Sequence, residues 1–237
     1  MRKTKYMISG GLAFSEQKDM EKLRKLSSEG WHVTKFSFLG YMLEQGESAD
    51  YIYSIDYRTL ENDAEEYFEL FQDAGWSLVD SSVDIHLFRA APHTKPIYTD
   101  RDTTIEKYKN QTKPLNITMM TLVPATIITW VISLKSTGNI HTLFFCLALL
   151  LTVLTIPLLW TALTSYGNQW KAENKKGLVL LTKLLPVIAV VVAFFAVMES
   201  GIKSLQILAS AVIGATVFVT FITVFTSLYH RIKAKKA

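Results

Sequence analysis

The chain has 237 residues, 49% of them hydrophobic, and its formal net charge is +4 at pH 7. The charge is unevenly divided, since residues 1–113 carry a net of −4 and residues 114–237 a net of +8. The basic residues surround apolar sequence, which argues against a nucleic-acid partner, and the lone Cys146 excludes an intramolecular disulfide.

The first predicted elements are a strand, a helix and a Gly-Trp pair. KYMIS at 5–9 is strand-like, and Ser15 is predicted to cap the helix that follows. The apolar stripe of this helix, at helical spacing, consists of Met20, Leu23 and Leu26. Gly30 comes directly after the helix, where left-handed backbone favours glycine, and Trp31 is placed to pack back onto the last turn.

The same pattern returns 45 residues later. EKLRKLSSEGWHV at 21–33 aligns with EYFELFQDAGWSL at 66–78, so Gly75 and Trp76 repeat the Gly-Trp pair. The apolar stripe of the second helix consists of Ala64, Tyr67, Phe68, Phe71 and Ala74. An offset shared by helix and Gly-Trp pair predicts an internal repeat, in which both pairs have a structural role.

Strand-like segments complete the order β-α-β-β-α-β. Val33–Leu43 is long and aromatic, whereas Tyr51–Tyr57 and Val79–Arg89 alternate between apolar and polar residues. The connection at 43–50 resembles a hairpin loop. The order predicts an α+β head over residues 1–92 with the ferredoxin-like fold, in which both helices cover one sheet face and the other face is open for docking.

The candidate ligand or partner face consists of Tyr53, Asp56, Arg58 and His86. A carboxylate inside a strand can bind a ligand on an open sheet face, although a solvated strand face explains Asp56 equally well. Trp31 and Trp76 can also stack on a ligand, but their equivalent places in the repeat favour packing.

No pattern for catalysis stands out in the head. Gly10 and Gly11 precede a helix, as in a phosphate-binding turn, but they lack the G-x-G-x-x-G and Lys-Ser/Thr patterns, so a plain turn is favoured. The five histidines do not fall at metal-ligand spacing, and no nucleophile–base pair is visible. We therefore expect no catalytic residues, no metal and no cofactor, and a protein that is not an enzyme.

Residues 93–113 are predicted as a linker and amphipathic stalk, because APHTKP contains two prolines and IEKYKN at 105–110 is helix-like. Apolar runs then fill residues 114–230, and each is close to the about 20 residues that a bilayer requires. The four runs are Ile117–Leu134, Ile140–Tyr166, Leu178–Met198 and Leu205–Tyr229. They predict a four-helix transmembrane bundle, followed by a basic tail at 231–237.

The lysines and arginines beside the spans predict the orientation. Ten flank the stalk, the loop between the second and third runs, and the tail, whereas Lys135 and Lys203 are the two in the other loops. This bias predicts a multi-pass protein of the cytoplasmic membrane with both termini and the head in the cytoplasm.

Small residues in the fourth run predict close helix packing. Ser210 with Gly214, and Ala211 with Ala215, are small residues four positions apart. Such pairs mark helix contacts within a bundle or between copies, so a homo-oligomer is one expectation.

The stretches GGLAFSEQKDMEKLRKLSSEGWHV, DYIYSIDYR, FQDAGW and IHLFRA resemble the bacterial family called domain of unknown function 2812. The resemblance covers about residues 1–95, and members commonly continue into apolar C-terminal spans. It supplies no catalytic residues. Members' genes often lie beside PadR-type transcription regulators in Gram-positive bacteria, which implies a role in envelope-stress sensing or regulation.

These observations favour a membrane-anchored regulatory, sensor or adaptor protein whose head binds a protein partner. One alternative is a small multi-span transporter or peptide-immunity protein, since Pro124, Pro157 and Pro186 lie within three of the spans. A second alternative is a head that binds a small molecule near Asp56 and Tyr53.

Overall fold

The structure is a computed structural model that describes residues 3–60 and 63–199. It also describes positions 203, 206, 207, 209, 210, 213 and 214. The chain divides into two compact units, Met1–Gln111 and Thr112–Ala237.

The strands and shorter helices lie in the first unit and repeat one order, strand–helix–strand–strand. The first four elements are β1 (Thr4–Ile8), α1 (Leu12–Ser28), β2 (Trp31–Ser37) and β3 (Gly40–Gln45). The next four are β4 (Ile52–Tyr57), α2 (Ala64–Asp73), β5 (Trp76–Ser82) and β6 (Ile85–Ala90). Each half builds a three-stranded antiparallel sheet, ordered β1-β3-β2 in the first half and β4-β6-β5 in the second.

The segments predicted as single long strands, Val33–Leu43 and Val79–Arg89, are hairpins instead. Their turns contain Leu39 and Val83, whose φ angles of 55° and 53° are left-handed. Glycine and asparagine usually take this conformation, so an apolar pattern that runs through leucine and valine conceals the turns. The prediction of two unbroken strands was therefore wrong.

The extra strands change the architecture while the α+β class is confirmed. The described strands form two three-stranded sheets, which differs from the one four-stranded sheet of the ferredoxin-like prediction. The connection at 43–50 joins β3 to β4 in different sheets, so it is a crossover between sheets and not a hairpin loop. The sheets meet where the Phe36 N–H of β2 donates to Asp80 Oδ2 of β5 at 2.6 Å.

Two hydrophobic cores cover opposite faces of the second sheet. The first core is built from α1 and both sheets, and its fully buried members include Leu23, Val33, Tyr41, Leu43, Ile55 and Leu87. The second core lies towards α2 and consists of Tyr67, Trp76, Phe88 and Ala90. Because strand side chains alternate, Tyr53, Ile55 and Tyr57 face the first core, and Asp56 faces the side of α2.

Both shorter helices end at a left-handed glycine, and the start of α1 contains a kink. Gly11 is the N-cap of α1, and the predicted cap Ser15 lies at a kink with non-helical angles (φ −144°, ψ 24°), so α1 begins before the predicted position. Gly30 and Gly75, just beyond the ends of α1 and α2, have left-handed φ angles of 81° and 85°. A glycine at this position lets the chain leave the helix without the strain of a Cβ atom.

Three helices continue the chain: α3 (Arg101–Lys135), α4 (Gly138–Ala172) and α5 (Lys176–Glu199). Each is long and apolar enough to cross a membrane, and α3 joins residues 105–110 to the first apolar run without a break. The predicted fourth span at 205–229 lies mostly outside the described residues.

The predicted small-residue contacts of that fourth run are only partly described. Ala211 and Ala215 lie outside the described residues. The Ser210 hydroxyl donates to the Gln206 carbonyl at 2.8 Å, which is a bond within its own helix. A Cβ added to Gly214 would meet no described atom within 4 Å.

Polar side chains join α3 to α4 inside the second unit. The Trp130 indole donates to Thr152 Oγ1 at 2.9 Å, and the hydroxyls of Thr126 and Thr155 lie 2.7 Å apart. Hydrogen bonds of this kind hold apolar helices together where hydrophobic burial between them contributes little.

Candidate functional site

A buried carboxylate on β4 is the centre of the candidate site. Asp56 Oδ2 accepts a hydrogen bond of 2.5 Å from the Tyr67 hydroxyl of α2. Its Oδ1 accepts from the Tyr98 hydroxyl and, at 2.7 Å, from the Tyr57 backbone N–H. Three donors compensate a buried carboxylate for the water it has lost. We call Asp56, Tyr67 and Tyr98 the aspartate hub.

The tyrosines of the hub are fixed as hydrogen-bond donors. Burial raises the pKa of Tyr67 and Tyr98 well above the usual value, and the negative charge of Asp56 raises both further. An ionised phenol would face that charge in a medium of low dielectric constant. Both hydroxyls therefore keep their protons at neutral pH.

Residues 91–98, which we call the linker segment, pack against the second half of the first unit. This packing brings Tyr98 to the hub. The Trp76 indole donates to the Lys95 carbonyl at 3.0 Å. A Cβ on Gly75 would come within 3.3 Å of the Thr94 side chain, and Ile97 packs against the second core. The linker segment therefore runs along a defined surface.

A buried ion pair lies beside the hub and involves the start of α3. Lys107 of α3 pairs with Glu16 of α1, and the two side chains are only 8% and 15% exposed. The Lys107 ammonium also lies 4.8 Å from the ring centre of Tyr98 and 5.7 Å from that of Tyr57. Such positions over aromatic rings favour a cation electrostatically.

Tyr57 connects this ion pair to one more residue of α3. Its hydroxyl donates to Glu16 Oε2 at 3.0 Å and accepts from Gln111 Nε2 at 3.1 Å. Burial raises the pKa of Tyr57 well above its usual value, and the Glu16 charge adds to this. Side chains from α1, β4 and α3 therefore form one polar network next to the hub.

Two further residues of the predicted face lie around Tyr67. The Arg58 guanidinium is 5.0 Å from the Tyr67 ring centre and pairs with Asp63 at 2.6 Å. His86 Nε2 donates to the Arg58 carbonyl at 2.8 Å, since a carbonyl oxygen can only accept. His86 Nδ1 lies 2.8 Å from the Ser81 hydroxyl, so both ring nitrogens are engaged.

Three of the four residues of the predicted face are thus buried, and only Arg58 is exposed. Asp56, Arg58 and His86 meet around Tyr67, but Asp56 and His86 are buried. Tyr53 is also buried and points to the opposite side of β4, into the first core. The alternating pattern placed Tyr53, Asp56 and His86 on strands correctly but did not reveal that both faces of their sheet are covered.

The two tryptophans of the repeated pair have different surroundings. Trp76 is buried in the second core and holds the linker segment. Trp31 is half-buried at the edge of the first core, with the Lys5 ammonium 5.2 Å from its ring centre. Both tryptophans thus pack against a core, and Trp76 also donates a hydrogen bond to the linker segment.

The glycine pair after β1 is filled by a side chain of the protein itself. The buried Asp19 accepts from the Gly10 N–H at 2.9 Å and from the Ser9 hydroxyl at 2.5 Å. An anion bound to this turn would have to displace the carboxylate. The Asp19 carboxylate therefore occupies the turn, in agreement with the preference for a plain turn.

Sequence reasoning missed Glu16, Tyr98, Lys107 and Gln111. Tyr98 lies in a segment taken for a flexible linker, and Lys107 was used only to predict orientation. The one available signal was apolar: Ile97 and Tyr98 follow Pro96 in an otherwise polar stretch. Among the described residues, no group of three or more His, Cys, Asp or Glu side chains is arranged to hold a metal ion.

Residues 15–120 match the model of a family described as a protein of unknown function, DUF2812. The match begins inside α1 and ends inside α3, and it confirms the resemblance predicted from the quoted stretches. It therefore includes the hub, the linker segment and the Lys107–Glu16 pair. Comparison with curated proteins gave no match, and neither did comparison with solved structures.

Proposed function

We propose that the protein is a membrane-anchored regulatory or adaptor protein, whose head binds a protein partner at the cytoplasmic face of a bacterial membrane. The observation that carries this proposal is the hub. A carboxylate of β4, a tyrosine of α2 and a tyrosine of the linker segment meet there, next to an ion pair that includes the start of α3. These contacts hold the segment that leads into the apolar helices against the head, which supports the proposal.

Substrate chemistry is disfavoured by the same contacts. The Asp56 carboxylate already accepts three hydrogen bonds, and the raised pKa values of Tyr67 and Tyr98 keep these groups neutral. A general base must lie within hydrogen-bond reach of a substrate proton, whereas Asp56 is buried and engaged with its own chain. We therefore assign the hub a positioning role in a protein that is not an enzyme and needs no cofactor.

We also propose that the head arose from two copies of one strand–helix–strand–strand unit. Both halves have the same sheet order, and their irregular pairings, between Val33 and Lys35 and between Leu78 and Asp80, are 45 residues apart. The second copy carries the hub and binds the linker segment. On this proposal, only the second copy gained the hub and its contact with the linker segment.

Partner capture tests the proposal. The tagged full-length chain is cross-linked in native membranes, and the captured protein is compared between wild type, Tyr98→Phe and Arg24→Met. Tyr98→Phe removes one hub donor, whereas Arg24→Met removes an exposed ion pair with Asp50 outside the hub. We expect a specific partner whose yield changes on the order of fivefold with Tyr98→Phe, a typical coupling between sites, and not with Arg24→Met. No partner above background, or equal yields for all three proteins, would overturn the proposal.

A small transporter or peptide-immunity protein is the second candidate. The polar contacts of Trp130 with Thr152 and of Thr126 with Thr155 favour it, because polar groups within apolar helices often mark a permeation path. If solute flux or peptide resistance responds to Trp130→Phe and not to Tyr98→Phe, this candidate replaces the first. The small-molecule alternative has no observation in its favour, since Asp56 and Tyr53 are buried on opposite faces of β4.

A further inference from the structure

The outer face of the first sheet ends in an exposed apolar turn. Phe38 and Leu39, between β2 and β3, are 85% and 70% exposed. Ile8 and Tyr6 of β1 are also exposed on this face, and the Tyr6 hydroxyl donates to the Phe38 carbonyl. We call Tyr6, Ile8, Phe38 and Leu39 the apolar tip.

The strand register shows that the outer face of the first sheet becomes more polar with distance from the turn. Ile8 pairs with Gly40, which pairs with Ser37, and this row lies next to the turn. The next row on the same face contains Tyr6, Met42 and the exposed Lys35. The row farthest from the turn is polar and contains Thr4, Glu44 and His32. The face thus changes from apolar, through tyrosine and lysine, to polar.

The second hairpin provides an internal comparison. Its turn contains Val83, which is 88% exposed, but the neighbouring residues are Ser81, Ser82 and Asp84. Both turns use a left-handed apolar residue, so this geometry does not require Phe38. A large exposed aromatic side chain is thus a property of the first turn alone.

We propose that the apolar tip inserts into the interface of the lipid bilayer. The order of the rows matches the profile of a membrane surface, where apolar groups enter the acyl region, tyrosine lies at the headgroups and lysine reaches anionic phosphates. A protein partner would not require polarity to change in one direction along the strands. Phe38 and Leu39 enter the lipid, Tyr6 and Lys35 contact the headgroups, and Glu44 and His32 stay in water.

The apolar helices of the same chain make a weak lipid contact effective. Because α3, α4 and α5 are long and apolar enough to cross a membrane, a bilayer is present at high local concentration. A few exposed apolar side chains then suffice for a second contact. This inference rests on membrane anchoring and is independent of any protein partner.

Spin labels at two matched serines test the proposal in purified full-length protein. Ser37 ends β2 and Ser82 ends β5, 45 residues later, so both flank a hairpin turn and leave Phe38 and Leu39 in place. Cys146 is first replaced by alanine, and Ser37→Cys or Ser82→Cys is then labelled with a nitroxide in nanodiscs of phosphatidylcholine and phosphatidylglycerol. Relaxation by oxygen, which concentrates in lipid, is compared with relaxation by a water-soluble nickel complex.

We expect the ratio of oxygen to nickel accessibility to be higher at Ser37 than at Ser82. The changes Phe38→Ser and Leu39→Asn together should lower the Ser37 ratio to the Ser82 value, and asparagine tolerates the left-handed angle of residue 39. An unchanged spectrum at Ser82 in that variant shows that the first unit is still folded. Equal ratios at the two serines would overturn the proposal, as would dipolar broadening at Ser37 from a second copy.

Discussion

The two halves of the first unit have the same topology but use their buried carboxylates differently. In the first half, Asp19 bonds to Ser9 and Gly10, which lie ten and nine residues away. In the second half, Asp56 bonds to Tyr67 and Tyr98, eleven and 42 residues away. The first carboxylate closes a local turn, and the second holds a distant segment of chain.

This difference separates a local contact from a long-range contact within one architecture. A carboxylate whose hydrogen-bond partners are close in sequence gains or loses these bonds when its own half folds or unfolds. A carboxylate satisfied by Tyr98 depends on the linker segment, so whatever moves that segment changes the hydrogen bonding of Asp56. On the proposed function, the second half is the one in which we expect a signal to change the packing.

Lys107→Met should give the largest effect, because it leaves the Glu16 carboxylate buried without its cation. Breaking a buried pair from one side typically costs several kcal/mol. We expect a loss of about 3 kcal/mol in the free energy of unfolding of the first unit, since Tyr57 still donates to Glu16. Urea denaturation of the full-length protein in detergent, followed by near-ultraviolet circular dichroism, measures it.

The control for this prediction is the exposed pair of Arg24 with Asp50. Its side chains are about half exposed, so Arg24→Met should lower stability by less than about 1 kcal/mol. The double change of Lys107→Met with Glu16→Gln should recover part of the loss. If Lys107→Met and Arg24→Met lower the free energy of unfolding equally, the pair of Lys107 with Glu16 does not stabilise the contact between α1 and α3.

Replacing the glycines that follow α1 and α2 should have the next largest effect on stability, and the effect should differ between the two halves. Alanine at either position meets the left-handed angle, which costs about 1–2 kcal/mol. A Cβ on Gly30 would also lie 2.8 Å from the Gly46 carbonyl oxygen, whereas a Cβ on Gly75 meets a Thr94 methyl at 3.3 Å. We expect Gly30→Ala to be more destabilising than Gly75→Ala in thermal unfolding.

Gly75→Ala should have a consequence that Gly30→Ala lacks. Pressure on Thr94 loosens the linker segment, so amide hydrogen exchange at 91–98 should accelerate with Gly75→Ala alone. Equal exchange in both variants would mean that the linker segment does not depend on its contact with Gly75.

Local patterns in the sequence predicted the elements with regular periodicity. The apolar stripe of α1, the glycine after it and the three described apolar helices follow directly from spacing and composition. The turn at Leu39 does not, because strand alternation continues through it and the left-handed residue is neither glycine nor asparagine. One missed turn in each half was enough to convert two sheets into one in the prediction.

The candidate site was predicted only in part for a different reason. Asp56 and His86 were singled out correctly as polar residues within strands, but spacing cannot tell which sheet face a distant segment will cover. Tyr98 and Lys107 come from 42 and 91 residues away from their carboxylate partners. Pairing over such distances depends on tertiary packing, which no local pattern records.

Tyr98→Phe should have an effect on stability no larger than that of the glycine changes. It removes one hydroxyl that donates to the charged Asp56, and the carboxylate keeps its bonds to Tyr67 and the Tyr57 N–H. We expect a loss of about 1.5 kcal/mol, the lower end of the range for one hydrogen bond to a charged group, because two donors to Asp56 remain. Proteolysis within the linker segment should become faster, and unchanged cleavage there would separate Tyr98 from the control of that segment.

The smallest effect is the dependence of stability on alkaline pH, and it again separates the hub from the first half. Burial, followed by the Asp56 charge, raises the folded-state pKa of Tyr67 and Tyr98 above that of the unfolded chain. Above the ordinary tyrosine pKa of about 10 the unfolded chain releases protons that the folded chain keeps, so stability falls as pH rises.

At about pH 10.5 each tyrosine should contribute a loss of about 0.8 kcal/mol relative to neutral pH. Urea midpoints of wild type and Tyr98→Phe, measured from about pH 8 to about pH 10.5, should converge as pH rises, because the variant has one such tyrosine fewer. Parallel curves would mean that Tyr98 titrates alike in both states, and the hub would then not hold its proton.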